Sequence, residues 1–151
     1  MHIRLPNAAK QSLVGLLLLA LPFVLFWQVW WPDNEHQRVF QRGDFVEQIY
    51  PFRVFVAREL GAGRLPTWDS HTFSGYPAIA ESQHATFYPL SMWQFLFEEP
   101  LPFLALEIEA LLHLGLAGIF TFLLVRQLTG RSDAGILAGS TFSLSGFLTS
   151  Y

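Results

Sequence analysis

The sequence predicts an all-α, multi-pass transmembrane helical protein, because it combines an apolar composition with three long hydrophobic segments. Of its 151 residues, 52% are hydrophobic, 16% are aromatic and only 14% are charged. This composition is too apolar for a soluble domain of this length, so the expected solvent is a bilayer. The absence of cysteine excludes thiolate chemistry, and a net charge of -3 without a dense Lys/Arg cluster argues against a nucleic-acid partner.

The first hydrophobic segment, residues 12–31, is predicted to form transmembrane helix 1 after a basic cytoplasmic N-terminus at 1–11. At about 1.5 Å per residue it reaches about 30 Å, the thickness of the hydrocarbon core. A cleaved signal peptide would share the basic start, but it would be shorter and would end in small residues. This segment instead ends in tryptophans typical of a membrane interface, Trp27, Trp30 and Trp31.

Residues 32–100 are predicted to form a long loop that is polar enough to leave the bilayer and is still rich in aromatic residues. Within it, Pro51–Leu60 has the pattern of a short amphipathic helix that ends at Gly61. Its apolar face comprises Phe52, Phe55, Val56 and Leu60, with Arg53 and Arg58 elsewhere. Such a helix is expected to lie in the membrane interface.

The rest of the chain is predicted to contain two more transmembrane helices joined by a short basic turn. These are transmembrane helix 2 at 101–125, a cytoplasmic turn at 126–133 and a truncated transmembrane helix 3 at 134–151. Positive charge in the N-terminus and in the turn places both in the cytoplasm, so the long loop faces outward. Gly135 and Gly139 have the G-x-x-x-G spacing that permits close helix packing. Helix 3 has no exit loop, so we expect the chain to be the beginning of a longer protein.

Asp44 and Glu47 are the first candidates for a functional site in the outward loop. As a pair they are suited to bind a divalent cation or to act as a base toward a substrate hydroxyl. The same spacing also fits a capping box, in which Asp44 caps a helix and Glu47 lies at its third position. Spacing alone favours the helix cap, and both interpretations remain open at this point.

Three further residues have charges suited to binding a ligand. Arg38 and Arg42 are four residues apart, so on a helix they would share a face and could hold a phosphate, although interfacial arginines that reach lipid headgroups give the same pattern. His113 follows Glu109 by four residues in helix 2, so the two side chains are expected to pair with each other or with the loop. Ionisable residues at membrane depth are candidates for function.

Six short motifs, in order, give the chain a resemblance to a known family. They are G-D-F-V-E-Q-I-Y-P-F (43–52), G-R-L-P-T-W-D (63–69), F-S-G-Y-P (73–77), F-Y-P-L (87–90), L-L-H-L-G-L-A-G (111–118) and S-L-S-G-F (143–147). Over nearly the whole chain the sequence resembles the N-terminal part of the bacterial YfhO family. That family is similar to the GT-C membrane glycosyltransferases, which generally use polyprenyl-phosphate sugars as donors.

The resemblance implies a polytopic enzyme of the bacterial inner membrane whose first outward loop carries the catalytic acid. Asp44 matches the catalytic or metal-binding position, which implies Mg²⁺ or Mn²⁺ as a possible cofactor. Arg38, Arg42, Glu47 and His113 are the expected substrate-binding residues from their charge and position, and the resemblance assigns no role to Glu47 or to the arginines. The implied partners are membrane lipid, a polyprenyl-phosphate sugar donor and an extracytoplasmic glycan or polymer acceptor.

Two features of the chain depart from the family. Family members often have Trp-Asn where this chain has Trp68-Asp69, and they continue through many more helices. The chain alone is therefore expected to be inactive. The alternatives are a component for lipid or polymer translocation, in which Glu109 and His113 would matter more than Asp44, and an inactive membrane fragment.

Overall fold

The computed structural model describes residues 7–31, 43–72, 74–81, 86–93 and 101–146. Over these residues the protein is mostly helical, and its β-structure is limited to one antiparallel bridge between Asp69 and Tyr76. The helices are α1 (Asn7–Leu25), α2 (Trp27–Trp30), α3 (Tyr50–Gly61), α4 (Phe103–Thr129) and α5 (Ser132–Ser143), with a π-helical turn at Phe45–Ile49 and a 3-10 turn at Ala78–Ala80. The predicted all-α class is confirmed.

The segment predicted as one helix over 12–31 is divided in two at Phe26. Phe26 has φ -101° and ψ 32°, which interrupts the helical path between α1 and α2. The indole Nε1 of Trp30 then donates a hydrogen bond of 2.7 Å to the carbonyl of Phe23, one of the last carbonyls of α1. An aromatic side chain therefore satisfies a backbone acceptor that the end of the helix leaves without an intrahelical donor.

Helix α4 is the element of the described chain that is long and apolar enough to cross a membrane. It ends at Thr129 and is followed by Gly130, whose φ of 71° lies in the left-handed region and whose N–H donates to the carbonyl of Arg126 at 2.8 Å. This is the usual glycine termination of a helix, in which the last carbonyls find donors in the turned chain. The apolar helix at Ala9–Leu25 is shorter.

The chain folds as two compact units. The helical unit comprises Met1–Arg38 and Ala110–Tyr151, and the loop unit comprises Val39–Glu109. In the helical unit, glycines bring helices close together: a Cβ on Gly139 would lie 2.6 Å from the carbonyl oxygen of Gly118, and one on Gly115 would lie 2.9 Å from that of Leu19. The G-x-x-x-G spacing therefore does mark a packing face, as small residues do in membrane helices.

The loop unit contains two small hydrophobic clusters. In the first, Phe52 and Val56 of α3 pack with Ala78. In the second, Leu101 packs with Ala105 and Leu106 in the first turn of α4. The predicted amphipathic helix is present, but the prediction that Arg53 lies away from its buried face is wrong, because Arg53 is only 6% exposed.

A tight hairpin in the loop unit is closed by the buried carboxylate of Asp69. This carboxylate accepts a hydrogen bond from the backbone N–H of His71 at 2.8 Å and another from Thr72 Oγ1 at 2.7 Å. Burial by itself raises the pKa of Asp69, but these hydrogen bonds outweigh it, so the pKa lies below its ordinary value. The charged carboxylate therefore stabilises the turn.

We expect Asp69→Ala to open this hairpin, because it removes the buried carboxylate that accepts two hydrogen bonds. The free energy that stabilises the closed hairpin should fall by about 1–3 kcal/mol. The amide of Tyr76, which donates to the carbonyl of Asp69 at 2.9 Å, should then exchange with solvent about 10- to 100-fold faster. Exchange measured by NMR would show this, with Ser70→Ala on the exposed side of the turn as the control. Equal exchange in both variants would contradict the assigned role.

The stabilisation of this hairpin by Asp69 should decrease as the pH is lowered. Because the pKa of Asp69 is lowered in the folded protein, its stabilisation is fully present above the unfolded pKa of about 3.9 and is lost as the pH falls through the lower folded value. The protection of the Tyr76 amide should follow that loss in the unsubstituted protein and should not in Asp69→Ala.

Candidate functional site

Asp44 and Glu47 lie at the start of the helical segment that leads into α3. Both side chains are exposed, and Asp44 occupies the N-cap position of the π-helical turn without making a side-chain capping bond. The carbonyl of Gly43 takes the donors that a cap would use, since it accepts from the N–H groups of Val46 at 2.9 Å and Glu47 at 2.8 Å. The capping-box interpretation is therefore wrong for this segment.

The two acids do not act as a pair within this turn. Asp44 Oδ1 accepts a hydrogen bond of 2.9 Å from Gln48 Nε2. In a π-helix the hydrogen bonds run from residue i to i+5, so residues four apart lie more nearly above one another than residues three apart. This geometry places Gln48, rather than Glu47, over Asp44. The Asp44 carboxylate keeps further lone pairs for a ligand, because a carboxylate offers about four acceptor sites.

Aromatic contacts hold the segment that carries Asp44 against the N-terminal end of α4. The rings of Phe45 and Tyr50 both meet the ring of Phe103 edge-on, with centroids 5.7 and 5.2 Å apart. The hydroxyl of Tyr50 also donates to the carbonyl of Leu101 at 2.8 Å. Edge-to-face rings and a satisfied tyrosine hydroxyl fix orientation as well as contact area. The exposed side chain of Asp44 therefore lies on a segment that is packed near the N-terminal end of α4.

A second group of polar residues is buried in the same unit. Arg53 Nη2 lies 3.2 Å from Ser91 Oγ, to which it donates, and 3.5 Å from Glu109 Oε1. The hydroxyl of Ser91 in turn donates a short hydrogen bond to Glu109 Oε1. The prediction that Glu109 contacts the loop is therefore confirmed. We call these three residues the Arg53 cluster.

The Arg53 guanidinium is in an environment that disfavours its charge. Burial lowers the pKa of Arg53, and the nearby carboxylate of Glu109 partly offsets this by favouring the charged form. An arginine nevertheless stays protonated in proteins, so the buried positive charge needs partners. Among the residues that the structure describes, the Nε and Nη1 atoms of Arg53 are buried without an acceptor.

Sequence periodicity contained a signal for Arg53. Positions 49, 53, 56 and 60 follow a spacing of four, three and four residues, which marks one helical face, and three of them are apolar. Arg53 interrupts that face and was assigned to the polar side because of its charge. Ser91 carried no comparable signal, because an isolated serine in a turn-rich segment is common.

The other predicted site residues are Arg38, Arg42 and His113. Arg38 and Arg42 lie outside the described residues. His113 is on α4 one turn after Glu109 and is partly buried, and it belongs to the helical unit. Within the described ranges, no group of three or more side chains that could hold a metal comes together. Asp44 would fit a Mg²⁺ ion as a single carboxylate ligand, since Mg²⁺ is often held by one or two carboxylates with substrate phosphates and water.

Fold and site together define a coarse class of protein. The chain is mostly helical, one described helix is suited to crossing a membrane, and an exposed acid and a buried ion pair lie in the unit that includes the start of that helix. No protein-family model, curated protein or solved structure matches the chain.

Proposed function

We propose that this chain is the N-terminal part of a multi-pass membrane glycosyltransferase that transfers a sugar from a polyprenyl-phosphate donor to an acceptor outside the cytoplasm. Asp44 is the catalytic or metal-binding acid. The main support for the proposal is that the Asp44 carboxylate is exposed on a segment packed near the N-terminal end of the apolar helix α4. Tyr50 and Phe45 of this segment make the contacts that hold it there. The ordered motifs that resemble the YfhO family are consistent with the same assignment.

The outer surface of the helical unit supports a location in the bilayer. Only 28% of the most apolar stretch of α4 is buried within the chain, whereas the core helix of a soluble protein would be mostly covered. Large apolar side chains remain exposed on three helices, including Leu16, Leu17, Phe120, Leu128 and Leu137. An exposed apolar surface of this kind marks contact with lipid or with other helices. Further membrane passes would cover part of it.

Asp44 can perform the proton transfer that sugar transfer requires. As the acceptor oxygen forms a bond to the anomeric carbon, the bond from that carbon to the donor phosphate breaks and the polyprenyl phosphate leaves. The acceptor hydroxyl gives its proton to the Asp44 carboxylate. The hydrogen bond from Gln48 orients the carboxylate and leaves its other oxygen available. A divalent cation held by the same carboxylate would instead neutralise the leaving phosphate.

We expect Asp44→Asn, made in the complete protein, to reduce sugar transfer by at least about 100-fold, since general-base catalysis contributes about 10²–10⁴-fold. The substitution keeps the shape of the side chain and removes its basicity. Transfer would be measured in proteoliposomes with a radiolabelled polyprenyl-phosphate sugar. Glu59→Gln, which changes an acid of the same unit that pairs with the exposed Arg64, is the control and should retain most of the activity.

Retention of full transfer by Asp44→Asn would contradict the catalytic assignment. Loss of function in His113→Ala with unchanged Asp44→Asn would favour translocation of a lipid or polymer. Unaltered helicity and detergent solubility of each variant would separate these outcomes from misfolding.

A further inference from the structure

The Arg53 guanidinium has more hydrogen-bond donors than its partners use. Arginine carries five N–H groups, one on Nε and two on each Nη atom. Ser91 and Glu109 engage only Nη2, and the described residues supply no acceptor to Nε or Nη1. A buried donor without a partner is costly, and because most buried polar atoms in proteins are satisfied, such a donor calls for an acceptor from water, an ion or a ligand.

The arrangement around Nη2 leaves the rest of the guanidinium fixed and available. Ser91 is fully buried and holds Glu109 and Arg53 together through its single hydroxyl. The side chain of Glu109 is 12% exposed, so the carboxylate and the guanidinium share one desolvated site. A planar guanidinium held on one side is well suited to bind two oxygens of an anion on another.

We propose that Arg53 anchors a binding site for a phosphate-type oxyanion, which would accept hydrogen bonds from Nε and Nη1. The site is separate from Asp44 and does not depend on sugar transfer. The chemistry fits a phosphate monoester or diester, because Arg binds such groups through charge-assisted hydrogen bonds. A lipid headgroup and a soluble phosphate offer the same oxygens.

The segment 86–93 contributes Ser91 to the Arg53 cluster. This segment carries no charge, and Phe87, Tyr88, Leu90 and Met92 are exposed on it, while Ser91 holds it to the Arg53 cluster. Nε and Nη1 are enclosed in the structure. An oxyanion therefore reaches them only when the side chains around these two donors move, while Ser91 and Glu109 keep their contacts with Nη2.

The direct test follows the Nε–H group of Arg53 by NMR. The full chain, labelled with ¹⁵N-arginine and held in phosphatidylcholine nanodiscs, would be titrated with inorganic phosphate. We expect the Arg53 Nε–H signal, assigned by its loss in Arg53→Lys, to shift saturably. The signal of Arg64, which is exposed and binds Glu59 through both Nε and Nη2, should change little and serves as the internal control.

Removing the competing carboxylate should strengthen binding. Glu109→Gln keeps the shape of the side chain and removes a negative charge next to the ligand, so phosphate should bind at least about tenfold more tightly, a conservative figure for like charges about 4 Å apart at an effective dielectric near 20. Because that variant leaves Arg53 without a counter-ion, phosphate should also raise its melting temperature. The double variant Arg53→Met/Glu109→Gln should gain nothing from phosphate.

The outcomes are distinct. No saturable shift at Arg53 in either the unsubstituted protein or Glu109→Gln, or equal stabilisation of the double variant by phosphate, would overturn the proposal and leave only bound water. A shift that requires phosphatidic acid in the nanodisc would assign the site to a lipid headgroup. A shift with inorganic phosphate in phosphatidylcholine alone would assign it to a soluble phosphate. Loss of sugar transfer in Asp44→Asn bears on neither result.

Discussion

Gly139→Val is expected to destabilise the helical unit by about 3 kcal/mol, the upper range for forcing extra volume into a packed interior. A Cβ at this position would lie 2.6 Å from the carbonyl oxygen of Gly118, and the branched side chain would press against Phe122 and Leu18. The nearest atom belongs to the backbone, so no side-chain rotation relieves the contact. Helices α4 and α5 would have to separate, and the buried hydrogen bond of 2.7 Å from Ser143 Oγ to the carbonyl of Leu114 would weaken with them.

Denaturant titration in detergent micelles, followed by circular dichroism, would measure this loss. Gly15→Val is the matched control, because Gly15 is also helical and a Cβ there would meet no atom within 4 Å. Its transition midpoint should stay close to that of the unsubstituted protein. Equal midpoints for the two variants would show that α4 and α5 do not depend on this close approach.

Glu109→Met is expected to cost about 3–5 kcal/mol in phosphate-free buffer, the usual loss when one partner of a buried ion pair is removed. The substitution leaves the charge of Arg53 buried, with Ser91 Oγ as the remaining acceptor of the cluster. The side chain of Arg53 is only 8% exposed, so water cannot replace the carboxylate without opening the unit. The loop unit should therefore unfold at a lower denaturant concentration.

The companion double variant separates charge from packing. Arg53→Met/Glu109→Met removes both charges and retains apolar volume, and such replacements are often neutral or stabilising. It should recover most of the stability that Glu109→Met loses. Glu59→Ala, which breaks the largely exposed pair of Glu59 with Arg64, is the control and should have little effect. A double variant as unstable as the single one would show that the cluster matters for its shape and not for its charge.

Local pattern predicted the helices better than it predicted their ends. The long apolar run was sufficient to place α4, because its length is a local property, but the helix continues to Thr129, beyond the predicted end at 125. The break at Phe26 was not predicted, since the nearest residue that disturbs a helix, Pro22, lies earlier and inside α1. The hydrogen bonds that the carbonyl of Gly43 accepts from the N–H groups of Val46 and Glu47 were also not predicted. Composition cannot reveal which of two nearby oxygens will take a given N–H group.

The two candidate sites differ in how far the sequence alone could predict them. Asp44 could be singled out from its neighbours and from the resemblance, and its exposure agrees with an open site, although its role stays a prediction. The Arg53 cluster could not be found from sequence, because Arg53 and Ser91 are 38 residues apart and a charged residue is normally assigned to the surface. Such a cluster depends on tertiary contacts, which one sequence does not contain.

The π-helical turn at Phe45–Ile49 changes the rotation of Asp44 about the helix axis relative to α3. Such a turn holds one residue more than an α-helical turn, as if a single residue had been inserted into a regular helix. The turn therefore shifts Asp44 around the helix axis, by one residue, relative to the face of α3 that buries Val56. Deleting one residue from it would rotate both Asp44 and Phe45, whose ring packs against Phe103. The length of this turn thus sets the direction of the acid together with the aromatic contact that supports it.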